Sequence, residues 1–329
     1  THELSCGQET EVNAKSFFAL MPKKKLTAPY LCTKSRVQIN QGGKMETQSI
    51  ESDDLALEKD FIIESVKRLT KDQRVAFQSL GEQEARFLVD QYYTVQDNRI
   101  ATSAQIRSMT KEGEPVHVLS LTRDNYEQLE KNAKVGLQVY ADNHPVGRWL
   151  LAQHGIGPVI AAGLLSHLDI RKAPTYGHFW SFAGMNPEKK WEKGKKRPWN
   201  AKLKTLVAFK AGESFVKTQA HKKSFYGKIF REERDRLEAA NESMEFKDVA
   251  LDRAKTVGKT TVAYSHYSIG KLPPAHLHAR ARRYAAKIFL SHLHYRWYEW
   301  EYGKAPADPY PVAILKHAHI IEAPGPEIS

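Results

Sequence analysis

Apolar and charged residues follow helical spacing from about position 55 onward. Apolar side chains recur every three or four residues, and charged side chains fill the gaps. This is the pattern of an amphipathic helix. It predicts helices over Leu55 to Leu69, Lys71 to Leu80, Glu82 to Gln96, and Ile100 to Met109. An extended piece, Val116 to Leu121, precedes a helix that begins at an Asp124 cap. We therefore predict a mainly α fold whose long N-terminal helices form an antiparallel or coiled-coil pair.

The residue composition and the hydrophobic pattern change twice along the chain, and these changes predict three regions. Residues 1–54 have no sustained period and are interpreted as an irregular arm or tail. Residues 55–143 are predicted to be a helical scaffold or self-association region, through which the chain forms a homo-oligomer. Residues 144–329 contain more Gly, Pro and aromatic residues and shorter helices, so they are predicted to be a compact helical domain.

Several classes of protein are excluded or disfavoured. The longest apolar stretch, Val159 to Leu168, is interrupted by His167 and is too short for a membrane span. Cys6 and Cys32 are too few for a disulfide framework or a thiolate zinc site. The polar start at Thr1 matches neither a signal nor a transit peptide, and is interpreted as the start of a fragment or a processed chain. We expect a cytoplasmic protein, associated with the nucleoid if it is bacterial or from a phage.

The net charge of +12 is unevenly distributed. Residues 1–150 carry a net charge of −1, whereas residues 151–329 carry +13. The densest part, Lys189 to Lys210, holds nine Lys and Arg residues against one acid, Glu192. Such clustering is typical of a polyanion binder, because each cation near a phosphate releases condensed counterions. A solvated lysine-rich loop is the alternative.

Tryptophans within this basic run favour nucleic acid over a solvated loop. Nucleic-acid surfaces use large rings for stacking or as wedges, whereas a solvated loop has little use for them. The candidate DNA-binding residues in this run are Lys189, Lys190, Trp191, Lys193, Lys195, Lys196, Arg197, Trp199 and Lys202.

A second candidate lies upstream, where Trp149 to Ile170 has the form of a helix-hairpin-helix. A first helix is predicted to end at Gly155, which can take a positive φ, and a second to begin at Pro158. The free N–H groups of the second helix then form an anion site that suits a phosphate and carries no sequence readout. The candidate residues are Gly155, Ile156, Gly157, Val159 and Ile160. The alternative is a tight packing corner.

These residues carry a resemblance to a known family. Gly155-Ile-Gly-Pro158, followed by Phe179 to Pro187 and then a basic glycine-containing loop, resembles the C-terminal, helix-hairpin-helix-containing domain of the IS110/IS116/IS902 transposase family. The match covers about residues 145–220, and residues 279–302 match the closing helix more weakly. The resemblance implies a DNA-binding protein of a mobile element, and residues 144–329 as its DNA-binding domain.

The chain also departs from that family. The family has an N-terminal RuvC-like domain with metal-binding carboxylates, and no such strand-and-Asp pattern precedes Glu58. The family's nucleophilic serine lies in the basic loop, whereas Glu188 to Trp199 contains no serine here; Ser181 and Ser214 only flank it. We therefore assign no catalytic residue, no metal ligand and no cofactor, with Mg²⁺ expected only in an active recombinase.

The last long apolar pattern predicts a helix that enters at Pro273-Pro274. One side of it carries Leu277, Ala281, Tyr284, Ala285, Ile288 and Phe289. The other side carries His276, Arg280, Arg283 and Lys287, which form either a second phosphate-contacting surface or a solvated face.

The leading hypothesis is a DNA-binding protein of a mobile element or phage that contacts the nucleic-acid backbone largely without sequence readout. An active transposase or recombinase that exchanges DNA strands is one alternative. A structural or partner-binding helical protein, whose Gly-Ile-Gly turn is only a corner, is the other.

Overall fold

The computed structural model describes residues 65–307 and 321–325, and in these ranges it contains helices and no strands. The mainly α fold is therefore confirmed. Of the regions predicted from sequence, the arm at 1–54 lies outside the described residues, as does most of the helix predicted from Leu55. Residues 65–70 are not helical, and the first helix, α1, spans Lys71–Ala76 with a capping box at Thr70.

Two long antiparallel helices follow, as the pattern predicts. They are α2, Glu82–Lys111, and α3, His117–Asn143. The prediction that a helix ends at Gln96 is wrong, because α2 continues through Arg99. Arg99 donates to Glu130 of α3 at 2.6 Å. The prediction of an extended segment at Val116 to Leu121 is also wrong, because α3 already begins at His117.

Helix α5, Pro158–His167, is the centre of the fold, and α4, Pro145–Ala152, leads into it. On one side α5 packs against α2 and α3, where Val89, Leu137, Val159 and Ala162 form a buried cluster. On the other side it meets a π-helical turn at Leu206–Ala211. A Cβ added at Gly163 would lie 2.6 Å from Leu206 Cδ2, so the close approach depends on a small residue there.

Shorter helices connect α5 to the last long helix. They are α6 (Tyr176–Phe182), α7 (Ala201–Thr205), α8 (Gly212–Thr218), α9 (Phe225–Glu242), α10 (Lys247–Ala254) and α11 (Val262–Tyr267). The last helix, α12, spans Pro274–Tyr302 and packs against α9, α6 and α8. Its Phe289 ring stacks on Trp149 of α4, with ring centroids 6.3 Å apart. This aromatic core fixes the surfaces on which the candidate residues lie.

Candidate nucleic-acid interface

The turn between α4 and α5 has the backbone expected of a tight glycine corner. Helix α4 ends at Ala152, three residues earlier than predicted, and Gly155 takes a φ of +100°. The Ile156 N–H donates to the Gln153 carbonyl at 2.9 Å, and the Ile156 side chain is buried in the main core. Ile156 therefore holds the turn in place from inside and is not available to a ligand.

The first backbone N–H groups of α5 have no acceptor within the helix and none from a capping side chain. Gly157 is the N-cap, Pro158 occupies the first helical position, and no side chain caps the helix. The first intrahelical bond is donated by Ala161 to the Gly157 carbonyl at 3.0 Å, so the N–H groups of Val159 and Ile160 have no intrahelical acceptor. The Val159 side chain is buried and that of Ile160 half-buried, so these two residues offer backbone only. A Cβ at Gly157 would meet open space.

The basic loop, residues 183–200, connects α6 to α7. The Asn200 N–H donates to the Phe182 carbonyl at 2.9 Å and closes its base. Six cations on this loop are exposed: Lys189, Lys190, Lys193, Lys195, Lys196 and Arg197. Among described residues, only Lys195 of these six forms an ion pair, with Glu192 at 2.7 Å. Lys202, just beyond the loop, is instead paired with Asp90 of α2.

The two tryptophans of the loop are held differently. Trp191 is 43% exposed, its indole N–H donates to the Lys195 carbonyl at 2.7 Å, and the Arg197 guanidinium lies 5.2 Å from its ring centroid. Trp199 is half-buried between Gly184 and Lys204, whose ammonium lies 4.2 Å from the ring centroid. Trp191 therefore remains available for stacking, whereas Trp199 mainly orders the base of the loop.

The structure places the basic loop and the Gly155 turn at opposite ends of α5. Asn200, at the base of the loop, contacts His167 at the C-terminal end of α5 with a 3.4 Å separation between Nδ2 and Nδ1. Ser214 donates its hydroxyl proton to the Gly155 carbonyl at the other end. Helix α5 has ten residues, which corresponds to a rise of about 15 Å. The basic loop therefore does not lie beside the Gly155 turn, because residues 201–218 run back along α5.

Other cations, which sequence reasoning missed, lie beside the turn. The imidazole of His154 stacks on that of His221, with ring centroids 4.0 Å apart, and this contact brings the segment after α8 to the turn. Lys222 and Lys223 follow directly and are exposed, with no ion pair to any described residue. Lys217 is likewise exposed and lies one helical turn from Ser214. In the sequence, the only feature that indicated these cations was their position in the basic part of the chain, residues 151–329.

Neither flanking serine shows the arrangement of an activated nucleophile. Ser214 donates to the Gly155 carbonyl, which is a structural role. The Ser181 hydroxyl accepts from Asn186 Nδ2 at 3.3 Å. It lines a cleft of about 720 Å³ together with His167 and His178, but no hydrogen bond joins it to either imidazole in the described part of the chain.

Metal-ligand groups and membrane-spanning helices are absent from the described residues. Within residues 65–307 and 321–325, no three His, Cys, Asp or Glu side chains are grouped as metal ligands. None of the helices described is both long and apolar enough to cross a bilayer.

Comparisons with known proteins give no relative. No family model, no curated protein and no solved structure matches the chain. The candidate site is therefore supported by its own geometry and charge.

Proposed function

We propose that this protein binds DNA through the phosphate backbone, with little sequence readout, as a DNA-binding component of a mobile element or phage. The observation that carries the proposal is the basic loop. Five of its six exposed cations lack an ion pair among the described residues, and an exposed tryptophan lies among them. Carboxylates neutralise cations elsewhere on the protein, for example Glu127 with Lys131 and Glu238 with Arg234.

Uncompensated cations on a closed loop suit a backbone ligand. Lysine ammonium groups act as point charges on phosphate and read no base edge. Trp191 is oriented by its hydrogen bond to Lys195, so its ring can stack on an exposed base or pack against a sugar at low entropic cost. The resemblance to the IS110/IS116/IS902 transposase domain supports the same ligand class.

Charge removal on the loop tests the proposal. The triple variant Lys189→Gln, Lys190→Gln, Lys193→Gln should bind a random-sequence 30-base-pair duplex more weakly than wild type at moderate salt. If each lysine meets one phosphate, the slope of log affinity against log salt falls in magnitude by about 2.7.

A matched control keeps the change of total charge equal. Arg107→Gln, Lys111→Gln, Arg123→Gln removes three cations from the distal half of the α2–α3 pair, two of them exposed and the third, Arg123, half-buried and paired with Asp124 at 2.6 Å. This control should bind with nearly the wild-type slope. Equal slopes for the two triple variants would show that the loop is only a solvated face.

A further inference from the structure

The cationic side of α12 is joined to the basic loop. Arg280, Arg283 and Lys287 are spaced by three and four residues, so they lie on one side of the helix. Among described residues none of the three forms an ion pair. Two carboxylates on neighbouring helices are engaged with other cations: Glu233 with Arg236 at 2.7 Å, and Glu213 with Arg282.

Direct contacts connect this helix to the base of the loop. Trp180 of α6, three residues before the loop begins, donates its indole N–H to the Lys287 carbonyl at 3.1 Å. The Lys287 ammonium lies over the Trp180 ring, 4.1 Å from the ring centroid. Helix α6 is thereby fixed to α12, so the loop it leads into and the cations of α12 belong to one surface.

Lys204 is influenced by the charges of both groups of cations. Partial burial, followed by the charges of Arg283 and Arg197, lowers the pKa of Lys204. Burial and then Arg283 also lower the pKa of Arg280. Cations crowded in this way repel one another, and a polyanion relieves that repulsion.

Aromatic rings hold several of these cations in place. The Arg280 guanidinium lies 4.5 Å from the centroid of Phe246, in addition to Lys287 on Trp180 and Lys204 on Trp199. Cation–π contacts of this kind leave the charge of the cation available to an anion. They also restrict the side chain beforehand, so less conformational entropy is lost when the anion binds. The surface is thus preorganised for an external anion.

We propose that Arg280, Arg283 and Lys287 form a second contact strip for duplex DNA, continuous with the basic loop through Arg197 and Lys204. The inference rests on the proposed function and names where the duplex continues after it leaves the loop. The strip extends about 10 Å along α12, a distance over which duplex DNA presents about six phosphate charges. Charge complementarity over that length therefore suits a duplex that passes along the helix.

The test compares three triple variants by salt titration with the same 30-base-pair duplex. Arg280→Gln, Arg283→Gln, Lys287→Gln should lower the magnitude of the salt slope by about 2.7, as the loop variant does. The distal control at Arg107, Lys111 and Arg123 should not. If the α12 variant matches that control while the loop variant is impaired, the inference is overturned and the proposed function stands. If wild type binds without salt dependence, the proposed function itself fails.

A single substitution tests the strip even if the triple variant does not fold. Arg283 is exposed and makes no hydrogen bond or ion pair with a described residue, so Arg283→Glu should leave the thermal midpoint unchanged. It should weaken duplex binding at least tenfold more than Arg107→Glu does. Equal affinities for these two variants would overturn the strip. A single-stranded RNA bound more tightly than the duplex, with the same loss in Arg283→Glu, would overturn duplex DNA as the ligand.

Discussion

His292 is expected to make the stability of the protein depend on pH. It is a buried residue of α12 with 5% of its surface exposed. Its Nε2 lies 2.7 Å from the Ile321 carbonyl, which can only accept, so Nε2 carries the proton. Its Nδ1 then accepts from the Tyr226 hydroxyl at 2.9 Å. The neutral ring is satisfied at both nitrogens, and burial lowers its pKa to about 4.

The sign and size of the effect follow from linkage. The unfolded chain, with a histidine pKa of 6.5, binds a proton before the folded protein does. The stability contributed by neutral His292 is therefore complete above pH 6.5 and is lost as the pH falls towards 4. The total loss is about 3 kcal/mol, of which about 2 kcal/mol falls between pH 7 and pH 5. His144, whose pKa burial also lowers to about 4, adds a comparable loss in wild type.

Guanidinium unfolding of His292→Gln, followed by tryptophan fluorescence, measures this contribution. At pH 7 the variant should lose about 1–3 kcal/mol, because the Tyr226 hydroxyl is left buried without its acceptor. Its further loss between pH 7 and pH 5 should be smaller than that of wild type by about 2 kcal/mol. His117→Gln, at an exposed histidine, should keep the wild-type decline. A full decline in His292→Gln would refute the reasoning.

Two further substitutions test the packing of α5 and its N-terminus. Gly163→Val should lower the free energy of unfolding by about 1–3 kcal/mol through overpacking against Leu206, and an unchanged denaturation midpoint would contradict the close approach. Gly157→Asp should keep the thermal midpoint, since its side chain enters open space, yet weaken duplex binding because a carboxylate then occupies the donors at the start of α5. Gly157→Ala is the matched control, and equal affinity of the two variants would show that the turn is only a packing corner.

Local signals predicted much of the helical architecture. The apolar periodicity indicated the α2–α3 pair and α12, and Gly155 and Pro158 indicated the turn conformation and the start of α5. Helix boundaries were less predictable where tertiary contacts decide them. Asp97 to Arg99 is a weak helical segment by propensity, and the ion pair of Arg99 with Glu130 continues the helix through it.

The arrangement of the candidate site could not be obtained from sequence proximity. The basic loop follows α5 along the chain, but this order does not determine at which end of α5 the loop lies. Its actual position is set by Asn200 at the far end of α5 and by the return of residues 201–218. The stacking of His154 on His221, which brings new cations to the turn, is a long-range contact without a periodic signal.

The central claim is that the protein binds the DNA backbone through uncompensated cations. The most direct measurement is the affinity of the wild-type chain for two 30-base-pair duplexes of unrelated sequence, each titrated from 50 to 200 mM salt. The account predicts similar affinities for the two duplexes and a loss of about 10³-fold or more across that range, as expected for six or more phosphate contacts. An affinity that stays flat with salt, or no binding at 50 mM salt, would contradict it.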